Sequence, residues 1–216
     1  MTQLDSSPVL AADSLQNASR GLVLASGSAT RAALLEHAGI VAEILVPEVD
    51  EASIKRRCRA DGCAPEATAL ALASAKAIGV APLRPGALII GADQIMICGD
   101  RWFDKPTNRG DARAHLQALR GRAHVLHSAV CLVRDGKQVW QHVVQPVMTM
   151  RNFSDQFLEA YLALEGDRLL SSVGAYRLEG LGINLFERIE GEHEAILGMP
   201  MLALLECLRS LGLMLS

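Results

Sequence analysis

The sequence predicts an α/β fold in which a mixed central sheet is flanked by helices. Short apolar segments typical of buried strands alternate with segments in which apolar residues recur at helical spacing. The dipeptide Asp135-Gly136 separates two long apolar segments and predicts an antiparallel hairpin inside this sheet. No repeat with a period of about 20–50 residues is present, which argues against a solenoid or propeller.

The predicted elements follow from local signals. Pro65 stands where a helix begins, Asn108 and Ser154 are N-cap residues, and Gly39 ends the first helix. In chain order the elements are strand 22–25, helix 32–38, strand 41–46, helix 65–81, strand 87–92 with an extended continuation at 95–97, a hairpin arm at 101–103, helix 108–119, strands 123–133 and 138–148, helix 154–164, a glycine-punctuated loop at 174–182, strand 183–189 and helix 200–213.

Composition excludes several classes of protein. The 216 residues are 50% hydrophobic and 21% charged, and the net charge of −3 predicts no general attraction for nucleic acid. No apolar run approaches the roughly 20 residues that span a bilayer, so we expect no membrane partner. Five scattered cysteines without a C-x-x-C motif predict neither disulfides nor zinc, and therefore a cytoplasmic location.

The first twenty residues lack the pattern of a secretory signal. We therefore expect a flexible tail, 1–20, ahead of one domain, 21–216. His124 and His127 lie three residues apart on a predicted strand, so their side chains point to opposite faces and do not share a metal. The basic run at 55–59 is interpreted as a solvated face or loop.

The turn Ser26-Gly27-Ser28 joins the first strand to the first helix. Unpaired backbone N–H groups, two serine hydroxyls and Arg31 predict an anion pocket there, with phosphate as the favoured ligand. A capped helix with Ser28 as N-cap is an equally open alternative.

Other polar residues fall at predicted strand ends and turns. Asp93 follows a buried strand, and the carboxyl ends of strands are where α/β sheets bind ligands. Cations could neutralise a polyphosphate while carboxylates hold Mg²⁺ or activate water. The candidate set is Ser26, Ser28, Arg31, Glu51, Lys76, Asp93 and Lys105. No P-loop, nucleophile elbow or dinucleotide-binding fingerprint is present.

Three motifs resemble those of the Maf nucleotide pyrophosphatases. Residues 25–31, Ala-Ser-Gly-Ser-Ala-Thr-Arg, are similar to the family's opening A-S-x-S-P-R-R, residues 92–94, Ala-Asp-Gln, to its A-D-[TQ], and residues 104–106, Asp-Lys-Pro, to its G-K-P. Residues 173–200 resemble its closing signature. The resemblance spans about residues 21–213, with the motifs in the expected order.

The resemblance implies an elongated, two-lobed fold with a cleft, like that of inosine triphosphate pyrophosphatases. It also implies an enzyme that hydrolyses nucleoside triphosphates to monophosphate and pyrophosphate, limits incorporation of non-standard nucleotides, and uses a divalent metal, Mg²⁺ or alternatively Mn²⁺ or Co²⁺. Asp93 matches the family's proton acceptor, and Glu51 with Asp93 matches its metal-handling positions. The residues that match its phosphate-handling positions are Ser26, Ser28, Arg31, Lys76 and Lys105.

The resemblance places base selection on Thr30, Gln94 and Glu179. Gln94 and Glu179 are similar to the branch that prefers 7-methyl-GTP, and a carboxylate suits the N1–H and N2 donors of guanine. Residues 29–30 depart from the family's Pro-Arg or Pro-Trp, and residues 171–172 are serines where many members have lysine or cysteine. A slow-turnover nucleotide-binding regulator of cell division, a generic phosphatase and a homodimer are left open.

Overall fold

The computed structural model describes residues 15–17 and 21–215. Its strands are β1 (Leu22–Ala25), β2 (Glu43–Leu45), β3 (Leu88–Cys98), β4 (Arg101–Phe103), β5 (Ala123–Arg134), β6 (Lys137–Val144), β7 (Val147–Met150) and β8 (Phe186–Glu190). Its helices are α1 (Ala29–His37), α2 (Glu51–Ala60), α3 (Pro65–Val80), α4 (Arg109–Leu119), α5 (Asp155–Glu165), α6 (His193–Ile196) and α7 (Met201–Ser210). Apart from residues 15–17, the predicted tail lies outside the described residues.

The predicted mixed α/β architecture is confirmed. The strands form one eight-stranded sheet in the order β2-β1-β3-β5-β7-β8, with β4 paired to β3 and β6 to β5. β1 lies parallel to β2 and β3, whereas β3 and β5 form a long antiparallel pair. Helix α3 covers one face of the parallel part, and α1 and α7 cover the other.

A second core lies around the other ends of β3 and β5. Met96, Leu126, Met148 and Phe153 are buried there with residues of α4 and α5. Because β3 has 11 residues and β5 has 12, both strands run through the two cores and join them into one body. A cleft opens between these two parts.

The prediction that Asp93 ends its strand is wrong. β3 continues to Cys98 because β5 pairs with it from Leu88 to Ile97. β1 pairs with β3 only as far as Gly91, opposite Ala25. Asp93 therefore lies just beyond the end of the parallel pair, where none of the described strands covers that edge of β3 and the cleft begins.

Other predicted boundaries change for identifiable reasons. The strand predicted at 41–46 is reduced to β2, and the one predicted at 183–189 begins only at Phe186 because 181–185 forms a 3₁₀ turn. The strand predicted at 138–148 is divided into β6 and β7 at Pro146, which has no N–H for the ladder. The predicted caps Ser28, Asn108 and Ser154 are confirmed by side-chain hydrogen bonds.

Helix α3 is held unusually close to the sheet. A Cβ at Gly91 of β3 would lie 2.1 Å from the carbonyl oxygen of Ala73, so only glycine allows this approach. Ala73 and Ala77 are fully buried at the contact. This packing fixes the position of α3 on the sheet, and with it the position of Lys76 near the end of β1.

The stretch Pro65–Leu83 is 19 residues long and apolar enough, by length and composition, to cross a membrane. This contradicts the expectation that no apolar run approaches that length. Ala69, Leu72, Ala73 and Ala77 are buried in the core cluster that includes residues of β3 and β5, so in this fold α3 is a core helix.

Candidate active site

A cleft of about 1160 Å³ opens at the end of β1. Its walls are formed by the start of α1, the side of α2 that carries Glu51, Lys55 and Arg59, Lys76 of α3, Asp93 of β3, residues 104–105 and the segment 168–179. Eight cationic side chains and four carboxylates line it, so the cleft is locally positive although the whole chain carries a net charge of −3. A multiply charged anion is therefore the ligand that its electrostatics favour.

Lys76 joins two carboxylates at the bottom of the cleft. Its Nζ lies 2.9 Å from Glu51 Oε1 and 3.2 Å from Asp93 Oδ1. Lys76 and Asp93 are both buried, at 8% exposure, whereas Glu51 is half-buried at the start of α2. The three residues come from α2, α3 and β3, so tertiary packing rather than sequence proximity brings them together.

The charge of Glu51 is maintained by its neighbours. Burial alone would raise its pKa, but the hydrogen bond from Lys76 and the charges of Lys76, Lys55 and Lys105 hold the pKa of Glu51 below its ordinary value. Glu51 is therefore an anionic oxygen donor at neutral pH.

Arg31 closes the other side of this cluster. Its Nε donates to the carbonyl oxygen of Gly198 at 2.9 Å, and its Nη1 donates to Ser26 Oγ at 3.3 Å. Its Nη2 lies 4.0 Å from Asp93 Oδ1. Burial lowers the pKa of Arg31, and the charges of Asp93 and Glu51 oppose that shift.

The sequence left open whether the turn at residues 26–28 is a helix cap or an anion pocket, and its geometry is compatible with both. Ser28 is the N-cap of α1, and its Oγ accepts from the N–H of Arg31 at 3.3 Å. The N–H of Ser28 donates to Ser26 Oγ at 3.2 Å. The same residues line the cleft, so the capped helix presents its N-terminus to any anion bound there.

The carboxylates suit a hard divalent cation. Asp93 Oδ2 is buried and accepts no hydrogen bond from the described residues, although its other oxygen is paired. No group of three or more His, Cys, Asp or Glu side chains converges within residues 15–17 and 21–215. Mg²⁺ commonly takes one or two carboxylates and completes its shell with water and phosphate oxygens, which Glu51 and Asp93 fit.

The basic run at 55–59 is not a loop. It forms part of α2, whose Arg56, Arg57 and Arg59 are exposed, as the interpretation as a solvated face predicts, and Lys55, Arg56 and Arg59 also line the cleft. Sequence reasoning missed these residues, but a signal was present: Glu51, Lys55 and Arg59 recur every four residues, which places them on one side of a helix. Lys105, which sequence reasoning did predict, is an exposed member of the same wall.

The three residues predicted to select the base lie around one small cavity. Thr30, Gln94 and Glu179 line a space of about 60 Å³ that adjoins the main cleft, together with Tyr176. Gln94 Nε2 donates to Ser128 Oγ at 2.6 Å and to the carbonyl oxygens of residues 195 and 196 at 3.0 and 3.2 Å. Because its amide hydrogens serve protein acceptors, Gln94 offers a ligand its Oε1.

Glu179 is placed by a buried carboxylate that sequence reasoning missed. Glu165 is 3% exposed, and its Oε1 accepts from the N–H of Leu181 at 3.2 Å. Arg177 lies 3.5 Å from Glu165 Oε2 and 3.6 Å from Glu179 Oε1, so it bridges the two acids. This network fixes the turn that carries Glu179.

Tyr176 is a buried residue that lines the small cavity. Its hydroxyl lies 2.9 Å from His124 Nε2, and Phe186 packs edge-on against its ring. Burial lowers the pKa of His124 to about 4. His127 lies on the opposite face, 3.5 Å from Glu66, so the prediction that the two histidines do not share a site is confirmed.

The chain is similar to known proteins of one family. The family described as Maf-like protein matches residues 21–211. A nucleoside triphosphate pyrophosphatase of Paramagnetospirillum magneticum is 50% identical over 88% of this chain and 98% of its own. A 7-methyl-GTP pyrophosphatase of Mesorhizobium japonicum is 49% identical over 88% of this chain and 96% of its own.

One solved structure resembles the chain more distantly. A nucleoside-triphosphatase, or dITP/XTP pyrophosphatase, of Mycobacterium abscessus covers 88% of this chain and 97% of its own, with 17% identity and a TM-score of 0.38. That similarity is too low for residues to be compared.

Proposed function

Because the chain belongs to the Maf family, we propose that its cleft is the active site of a nucleoside triphosphate pyrophosphatase. The enzyme hydrolyses nucleoside triphosphates to monophosphate and pyrophosphate, as the names of relatives at about 50% identity indicate. The products require that the bond between the α- and β-phosphates breaks. The observation that carries our assignment of the site is the buried Asp93 Oδ2, unpaired among the described residues, beside Lys76 and Arg31.

In this proposal Asp93 takes a proton from the attacking water. Its Oδ1 is held by Lys76, so Oδ2 is the oxygen that can orient the water and accept its proton. Arg31 is anchored by Gly198 and Ser26, which fixes the direction of its guanidinium without ordering a flexible side chain during the reaction. Lys76, Arg31 and Lys105 neutralise the phosphate oxygens.

Glu51 and Asp93 would hold a divalent cation, and we propose Mg²⁺. When bound, the cation neutralises phosphate charge and supports an in-line attack by water. Mn²⁺ and Co²⁺ are alternatives with the same oxygen ligands. A cytoplasmic location stays a prediction.

We propose that the base is a purine, with 7-methylguanine as the leading candidate. Gln94 Oε1 and the Glu179 carboxylate are both acceptors beside the small cavity, and they complement the N1–H and N2 donors of a guanine edge. Thr30 adds a hydroxyl where an arginine or tryptophan is usual in the family. Removing such nucleotides would limit their incorporation into nucleic acid.

The proposed function divides the cleft into two parts. The phosphate half consists of Ser26, Ser28, Arg31, Glu51, Lys76, Asp93 and Lys105. The base half consists of Thr30, Gln94, Tyr176 and Glu179.

The test is a nucleotide panel with purified protein and Mg²⁺, in which pyrophosphate and orthophosphate are measured separately. We expect pyrophosphate, released fastest from 7-methyl-GTP. Orthophosphate as the first product would identify a generic phosphatase instead. Tight binding without turnover in Mg²⁺, Mn²⁺ or Co²⁺ would favour a nucleotide-binding regulator.

A further inference from the structure

A cation cluster extends the phosphate half along α2. Lys55 and Arg59 lie on the same side of this helix as Glu51, at successive four-residue steps. Lys55 is therefore about 6 Å along the helix axis from Glu51, and Arg59 about 6 Å further. Both line the cleft, but neither is used by the chemistry proposed at Asp93.

The carboxylate of Asp104 contacts both cations of this cluster. Lys55 Nζ lies 2.6 Å from Asp104 Oδ1, and Arg59 Nη2 lies 3.7 Å from Asp104 Oδ2. Each carboxylate oxygen thus contacts a different cation, as two oxygens of one phosphate group would. Burial alone would raise the pKa of Asp104, but Lys55 and Arg59 hold it below its ordinary value, so Asp104 is an anion here.

Arg59 is held in place independently of Asp104. Its guanidinium lies over the ring of Trp102, 4.7 Å from the ring centroid. The Asp104 side chain is 53% exposed and can turn into solvent. Exposed ion pairs are weak, so an anion of higher charge can displace this carboxylate without dismantling the wall.

We propose that Lys55 and Arg59 bind the terminal phosphates of the substrate, which leave as pyrophosphate, and that Asp104 occupies this subsite until they arrive. Lys105, next to Asp104 in the chain, belongs to the same subsite. This inference rests on the proposed function, because it assumes that the α-phosphate lies at Asp93. Displacement of Asp104 frees both cations on binding, and its return helps to expel the product.

The test is calorimetric titration with inorganic pyrophosphate in buffer containing a metal chelator. We expect Lys55→Met and Arg59→Met each to weaken pyrophosphate binding about tenfold, since each removes a charge-assisted contact. Asp104→Asn removes the competing anion, so we expect it to bind pyrophosphate about threefold more tightly than wild type. Arg57→Met is the matched control, because Arg57 lies on the same helix but does not line the cleft.

Titration with a nucleoside monophosphate under the same conditions tests whether the loss of affinity is specific to the terminal phosphates. We expect Lys55→Met and Arg59→Met to leave its affinity unchanged, since it has no terminal phosphates. Weaker pyrophosphate binding by Asp104→Asn, an equal effect of Arg57→Met and Arg59→Met, or no pyrophosphate binding by wild type would each overturn the proposal. Nucleotide turnover by wild type is measured separately, so a failure of the proposed function is distinguishable from a failure of this subsite.

Discussion

The two halves of the cleft are built in different ways. In the phosphate half, Arg31, Glu51, Lys76 and Asp93 stand on helices and a strand, and Lys76 is already paired with Glu51 and Asp93. In the base half Glu179 stands on a turn between two 3₁₀ segments, Val173–Ala175 and Leu181–Leu185. Thr30 and Gln94 of the base half stand on α1 and β3, so Glu179 is the predicted base-selecting residue that can change without disturbing a helix or strand.

Lys76→Met should severely impair the phosphate half. The change leaves two carboxylates facing each other without their shared cation, so we expect kcat/KM to fall about 10²–10³-fold for every nucleotide. Pyrophosphate release across the nucleotide panel is the measurement. Lys137→Met, at an exposed hairpin position, is the control and should behave as wild type. Losses confined to one base would contradict this assignment of Lys76.

Gly91→Ala tests the packing beneath the phosphate half. The new methyl would meet the carbonyl of Ala73 at 2.1 Å, so α3 must shift, at a cost of about 3 kcal/mol in the free energy of unfolding. Denaturant unfolding measures it. Gly21→Ala is the control, because its nearest neighbour would be Ala87 Cβ at an ordinary 3.8 Å. Equal stability of the two variants would show that this close approach is not required.

His124→Phe tests the support of the base half. The pKa of His124 is about 4 when folded and about 6.5 when unfolded, so the unfolded state binds more protons between these values. Stability is therefore lost as the pH falls below 6.5, and this residue accounts for about 2 kcal/mol at pH 5. Between pH 7 and pH 5 we expect the free energy of unfolding of the variant to fall by about 2 kcal/mol less than that of wild type. Parallel stability curves would rule out this role for His124.

Glu179→Gln should have the smallest of these effects, a change in base preference. Its loss removes a charged acceptor from the base half only, so we expect the preference for 7-methyl-GTP over UTP to fall about tenfold. The rate with the less favoured nucleotide should remain within a factor of about two, because no contact in the phosphate half changes. Glu187→Gln, an exposed acid on β8, is the control. A uniform loss across all nucleotides would assign Glu179 to the reaction instead.

The fold was largely predictable because its elements carry local signals. Ser28, Asn108 and Ser154 cap helices as their positions predicted, and Asp135-Gly136 makes the expected hairpin. The sequence predicted an extended continuation of β3 at 95–97, but not that the strand runs unbroken through Asp93, because pairing with β5, about forty residues away in the chain, prolongs it there.

The site residues that lie in sequence motifs were predictable, whereas those placed in the site only by tertiary contacts were not. Ser26, Arg31 and Asp93 lie in recognisable motifs, and the structure brings them together. Lys55 and Arg59 were assigned to a solvated face or loop, and their four-residue spacing from Glu51 became informative once the bounds of α2 showed that all three lie on one helix. Glu165 has no motif, since its contact with Leu181 depends on a turn that only the folded chain defines.

Pyrophosphate release by wild type and Asp93→Asn, in Mg²⁺ and at saturating nucleotide, tests the central claim most directly. Asparagine keeps the shape of the side chain but cannot accept the proton from water, so we predict that kcat falls about 10²–10⁴-fold. Nucleotide affinity, measured by calorimetry, should persist because the cations of the phosphate half remain. Turnover by Asp93→Asn equal to that of wild type would contradict the claim that Asp93 is the centre of the reaction.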